Sequence, residues 1–302
     1  MDRRVTQALL VAAVICPVYG LMAGKIDKAP REVTNFWVRK MRLSGVADVV
    51  FIGDSRVNRG ISPAVAQEVL PGLRIENFGF SGQGVTQPYL DRARTVVDPN
   101  SKVRALVIGV TPRMFTAAAI KLSEYDKWAK MREVDYYLQD IGSGVNYFFT
   151  PEDPVKLFGR ALSSSAPRYT QWFEPGGWMP ATRSTFDTKS AEAEYRTHFA
   201  RGGALPEAID RLVAFVAHAK ADGFKVFLFR PPISPQVRAI EDEMGQFDEA
   251  ALRSRVEAAG AVWLPTRQGA YQTFDGHHLD RSAAETFTRD LATELKPYLS
   301  TR

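Results

Sequence analysis

Val49-Val50-Phe51-Ile52 is a continuous apolar run that stops at Gly53-Asp54-Ser55, the pattern of a strand buried on both faces and ending at a turn. Residues 105–110, 225–229 and 262–264 repeat that pattern, and residues 74–78 add a fifth strand. The intervening stretches read as helices. Ser62-Pro63 opens one that runs to residue 70, because serine caps exposed amides and proline fits a first turn. Others are predicted over residues 85–97, over 205–222 with Gly223 closing it, over 235–259 with a break near Gly245, and over 280–295 behind the cap residue Asp280. Strands alternating with helices predict a three-layer α/β/α domain built on a mostly parallel five-stranded sheet.

The rhythm fails in two places. Residues 5–24 are uncharged and mostly apolar behind Arg3 and Arg4, long enough to cross a bilayer core at about 1.5 Å per residue. Pro17 is tolerated in a membrane helix, and Leu21 stands where a cleavage site needs a small side chain. Residues 1–28 are therefore expected to form a retained signal-anchor helix, and residues 29–46, basic and carrying Phe36-Trp37, a juxtamembrane linker before a domain over 47–302. Lys25, Lys28 and Arg31 follow the stretch, but long domains translocate largely regardless of flanking charge, so the expected domain lies outside the membrane. The second break is residues 115–200. They are rich in aromatic residues, proline and glycine, for instance Asn146-Tyr147-Phe148-Phe149, and too long for a simple connection; they are expected to form an inserted lobe.

Composition narrows the function. With 302 residues and 45% apolar side chains the chain can bury a large core. A net charge of +5 spread over residues of both signs, without a basic block, gives no nucleic-acid surface. The single cysteine, Cys16, excludes an intrachain disulfide. Gly79, Gly82 and Gly84 lack the spacing of a dinucleotide fingerprint, so no cofactor is expected. Nor is a metal, since two adjacent histidines and an aspartate in one tight loop are not expected to face a single ion.

In open parallel sheets, sites lie outside the carboxyl ends of the strands. Ser55, the turn 79–82, Thr111-Pro112-Arg113 and Arg230 all follow predicted strands and should converge on one edge. A serine hydroxyl becomes a nucleophile only when an imidazole takes its proton and a carboxylate orients the imidazole; Asp275-Gly276-His277-His278 supplies both from one short loop. Alone, Ser55 would read as a helix cap; together with Asp275 and His278 it reads as the nucleophile. Asp54 suits either a cap or a brace for this loop, and His277 is expected to point elsewhere. Arg56 and Arg230 read as substrate-binding cations, Arg56 equally as half of a structural ion pair.

These blocks resemble the SGNH, or GDSL-type, hydrolase superfamily. Gly53-Asp54-Ser55-Arg56 is similar to its first block, Asn77-Phe78-Gly79-Phe80-Ser81-Gly82 to its second, and Asp275-Gly276-His277-His278 to its last. The resemblance implies Ser55 as nucleophile, Asp275 as orienting acid, His278 as base, and the amides of Ser55 and Gly82 as oxyanion donors. It departs at the third block, where the family's asparagine is missing from Ile108-Gly109-Val110-Thr111-Pro112-Arg113, which leaves Arg113 and Thr111 as candidate replacements, Arg113 reading equally as half of a salt bridge. That loss resembles the membrane-anchored branch that acylates envelope polymers, such as alginate O-acetyltransferases and the D-alanyl transfer protein of teichoic acid synthesis. It implies a single-pass protein on the outer face of a bacterial cytoplasmic membrane. There it would O-acetylate a polysaccharide acceptor with an acyl donor delivered by a multi-pass membrane acyltransferase. A carboxylesterase or deacetylase of glycans, and a non-catalytic glycan-binding or scaffold subunit, are the alternatives.

Overall fold

β1 (Val49–Ile52) is buried at every position, as its unbroken apolar run requires, and lies between two neighbouring strands of the sheet. In the computed structural model, which describes residues 29–131, 169–185 and 187–299, the chain divides into two units. Residues 1–41 and 130–167 form one, residues 42–129 and 168–302 the other. The first unit contains most of α1 (Ala29–Arg42), in which Phe36 and Trp37 meet edge to face with Lys40 over both rings. No described helix is long and apolar enough to cross a membrane, and the expected anchor over residues 5–24 lies outside the described residues.

The second unit carries the sheet. After β1 come α2 (Ser55–Gly60), α3 (Pro63–Val69), β2 (Ile75–Asn77), α4 (Gln87–Val96) and β3 (Ala105–Gly109). A 3-10 turn over Pro112–Phe115 leads to α5 (Ala117–Lys121) and α6 (Glu124–Ala129). The chain re-enters the described region as an antiparallel hairpin, β4 (Tyr169–Gln171) and β5 (Ala181–Arg183), followed by α7 (Lys189–Phe199) and α8 (Pro206–Ala221). β6 (Lys225–Phe229), α9 (Pro235–Met244), α10 (Glu249–Ala258), β7 (Val262–Trp263) and α11 (Arg281–Leu299) complete it. All five predicted strands are present, and they pair in parallel in the order β2-β1-β3-β6-β7. The predicted helix over residues 235–259 is two helices, and Asp248 caps the second by accepting the Ala251 amide.

Because both sheet faces are covered, successive strand residues serve opposite cores. Val49, Phe51, Ala105, Val107, Phe227 and Phe229 pack with residues of α2, α3 and α11, among them Val57, Ala66, Phe287 and Leu291. The other face meets α4 and α8. Strand order reverses between β1 and β3, both of which run outward from the same centre, so a crevice opens at their carboxyl ends. The residues that follow these two strands, Ser55 and Arg113, both line it.

Candidate active site

The turn between β1 and α2 is fixed from three sides. The Gly53 amide donates to the Tyr89 hydroxyl at 2.9 Å, and that hydroxyl donates to the Phe78 carbonyl at 2.7 Å, tying the ends of β1 and β2 together. Asp54 caps α2 by accepting the Arg56 amide at 2.9 Å, while its other oxygen accepts from the Thr111 hydroxyl at 2.7 Å. Asp54 is thus both cap and brace. Asn77 donates to the carbonyls of Val57 and Ile61, both at 2.8 Å, and accepts the Gly79 amide. Gly79 lies so close to α2 that a Cβ there would come within 2.6 Å of the Asn58 amide nitrogen, which accounts for glycine in the second block.

Ser55 opens α2 and points into a pocket of about 280 Å³. Its Oγ lies 2.8 Å from His278 Nε2, and His278 Nδ1 lies 2.8 Å from Asp275 Oδ2. An ionised carboxylate only accepts, so Nδ1 carries the proton and Nε2 presents its lone pair to the serine hydroxyl. The other Asp275 oxygen accepts the amides of His278 at 2.8 Å and His277 at 3.2 Å. Burial alone would raise Asp275, but the His278 charge and these hydrogen bonds hold it well below the usual carboxylate range. Burial lowers His278 from its ordinary value, the Asp275 carboxylate opposes that shift, and the Arg59 charge adds to it.

The pH dependence follows. A base with a depressed pKa stays neutral to lower pH, so the acid limb of Ser55 modification should have its midpoint below 6.5, the ordinary imidazole value. A rate–pH profile for labelling of Ser55 checks this. A midpoint above that value would mean that Asp275, not burial, dominates His278.

Other expected site residues fall out differently. Gly82 lines the pocket with φ +60, a left-handed conformation that glycine accepts without strain. Thr111 is fully buried and its hydroxyl is given to Asp54, so of the two candidates for the missing asparagine only Arg113 faces the pocket. Arg113 also pairs with Glu194 at 2.8 Å and lies over the Tyr195 ring.

Arg56 and Arg230 do not line the pocket. Both guanidinium groups grip Glu241, which is 0% exposed, and Arg56 also donates to the Tyr195 hydroxyl. For Arg56 the reason is geometric: with about 100° between consecutive helical residues, the residue after a pocket-facing Ser55 turns away from it. His277, expected to point elsewhere, lines the pocket with its ring 3.9 Å from that of His278. Asp275, His277 and His278 bring ligand atoms within 4.8 Å of one another, so the tight loop does let both histidines face one carboxylate. The Asp275–His278 hydrogen bond already engages two of these three side chains.

Ser81 of the expected turn 79–82 lines the pocket, and residues not singled out from sequence complete the wall: Arg59, Gln83, Tyr169, Arg183, Glu194 and Phe274. Arg59 stands four residues after Ser55 on the same helical face, a relation that shows only once this stretch is known to be helical. A second pocket of about 490 Å³ adjoins this one, sharing Gly82, Arg113 and Glu194.

The fold and this geometry define a class: an α/β protein with a serine, histidine and aspartate in one hydrogen-bonded chain at the carboxyl edge of a parallel sheet. No protein-family model matches the sequence, and no curated protein matches it. Solved structures to which it is similar include one provisionally described as a platelet activating factor from Streptococcus pneumonia, at 15% identity and a TM-score of 0.39, covering 93% of this chain and 97% of that one. Another is provisionally described as an acylhydrolase from Bacteroides fragilis, at 13% identity and a TM-score of 0.37, covering 87% and 94%.

Proposed function

We propose that this protein carries out serine-dependent acyl transfer through an acyl-enzyme on Ser55. The observation that carries the reading is the continuous hydrogen-bonded chain Ser55–His278–Asp275 inside a pocket. Ser55 Oγ attacks the carbonyl carbon of an ester or thioester as His278 Nε2 takes its proton. The oxyanion is met by the amides of Ser55 and Gly82, with Arg113 supplying positive charge where the family's asparagine is missing. His278 then protonates the departing alcohol or thiol. In the second half-reaction it deprotonates the acceptor hydroxyl, whose oxygen bonds to the acyl carbon, and it returns that proton to Ser55 Oγ as the bond between Oγ and the acyl carbon breaks.

The favoured acceptor is a sugar hydroxyl of an envelope polysaccharide, and the favoured acyl group acetyl. The apolar stretch over residues 5–24 supports a membrane-tethered protein with its domain on the outer side, beside a multi-pass partner that supplies the donor. Hydrolysis is the same chemistry with water as acceptor.

Incubating the full chain with an acetyl-ester donor, with and without a glycan acceptor, separates the two. Transfer predicts acceptor-dependent consumption of donor and acetylated glycan by mass spectrometry. Donor consumption indifferent to acceptor would make the protein an esterase.

A further inference from the structure

Two arginines in the pocket have no carboxylate. Arg59, on the Ser55 face of α2, donates to the Tyr169 hydroxyl, while its Nε is buried without a hydrogen-bond partner. Arg183 is the cross-strand neighbour of Tyr169 in the β4–β5 hairpin; its guanidinium lies 5.6 Å from the Tyr169 ring and 5.8 Å from the Phe274 ring. Neither forms an ion pair among the described residues.

The acids that share this pocket are already engaged. Asp54 accepts from the Arg56 amide and Thr111, Asp275 from His278, and Glu194 pairs with Arg113. The hairpin is held in place, because the Trp178 indole donates to the Arg59 carbonyl at 2.7 Å and the Met179 amide to the Asn58 carbonyl at 3.0 Å. Two guanidinium groups are therefore presented on rigid elements beside the nucleophile. Such groups recognise planar or tetrahedral oxyanions through paired N–H donors, and a concave site with uncompensated cations concentrates anions.

We propose that the pocket selects esters that carry an anionic group, a carboxylate or a sulfate, held by Arg59 and Arg183 flanking Tyr169. This rests on the acyl-transfer reading above. The site names the charge of the substrate, which that reading leaves open.

The test compares kcat/KM of the full chain for 4-acetoxybenzoate and 4-acetoxybenzenesulfonate with that for the neutral methyl 4-acetoxybenzoate. The expected preference for a charged ester is about tenfold or more, the worth of one charge-assisted hydrogen bond. It should fall toward unity in Arg59→Gln and in Arg183→Gln, and recover in part in Arg183→Lys. The carboxylate and sulfonate arms show which oxyanion fits. No preference in the unaltered protein, or a preference untouched by both glutamine variants, overturns the proposal while leaving acyl transfer intact.

A second measurement is independent of turnover. The amide analogue 4-acetamidobenzoate is titrated into Ser55→Ala by calorimetry, with and without Arg59→Gln. Binding that weakens about tenfold in the double variant supports the anion site even if no ester is consumed, in which case the acyl-transfer reading is the one that fails. Absence of binding, or binding indifferent to Arg59, counts against the site.

Discussion

Asp275→Asn should slow modification of Ser55 by about 10⁴ while leaving the fold intact. Asp275 accepts from three donors: His278 Nδ1 and the amides of His277 and His278. Asparagine keeps one carbonyl oxygen for the amides but turns an N–H₂ group toward Nδ1. The imidazole would then move its proton to Nε2 and present a donor, not a lone pair, to the Ser55 hydroxyl. The loss comes from the tautomer, so the thermal midpoint should barely change. The check is the second-order rate of fluorophosphonate labelling alongside a melting curve. A rate within tenfold of the unaltered protein would show that His278 does not act as the base for Ser55.

Glu241→Gln is expected to act on stability instead. Glu241 is fully buried between two guanidinium groups: its Oε2 accepts from Arg230 at 2.9 Å, and its Oε1 is held by Arg56. Burial alone would raise Glu241, but the charges of Arg56 and Arg230 lower it. Removing the carboxylate leaves two buried cations facing each other with one acceptor. Breaking a buried pair in this way costs about 3–5 kcal/mol, a large part of the roughly 5–15 kcal/mol that holds a domain together. Asp242 and Glu249 partly compensate Arg230, so the strain concentrates on Arg56, the residue after the nucleophile. Urea unfolding should show a lower midpoint, and Arg56→Met in the same background should restore part of it. An unchanged midpoint would contradict the ion pair's structural role. In the unaltered protein the sign with pH follows from the depressed carboxylate: its contribution is complete above the usual glutamate range and is lost as pH falls through the lowered folded value.

These expectations mark where the sequence was transparent. β1, β3 and β6 were legible because each is a short, mostly apolar run that the parallel sheet buries on both faces. The serine, aspartate and histidine were legible because each stands at the end of a strand or the start of the last helix. α2 was not, since Ser55-Arg56-Val57-Asn58-Arg59-Gly60 has little helical signal of its own and is held by the Asp54 cap and by Asn77 from the next strand. Missing that helix left Arg56 open between a substrate cation and the ion pair it forms with Glu241, and hid Arg59, because the face on which each side chain lies depends on the helical turn.

Within the stretch expected to be an inserted lobe, α7 carried a readable signal, with Ala191, Tyr195 and Phe199 buried at a spacing of four. The β4–β5 hairpin did not. Three-residue strands have too few positions to alternate, and Tyr169 and Arg183 gain their meaning only from the pocket they border. Arg230 was drawn from the pocket by Glu241, Asp242 and Glu249 on the two following helices, a tertiary attraction that strand position alone does not reveal.

The central claim is that Ser55 is an activated nucleophile. Intact-mass spectrometry of the folded full chain after exposure to a fluorophosphonate tests it most directly, with Ser55→Ala and His278→Ala beside it. One adduct on the unaltered protein, mapped to Ser55 and absent from both variants, is the predicted result. Folded protein that remains unmodified, or an adduct that persists in Ser55→Ala, would contradict it.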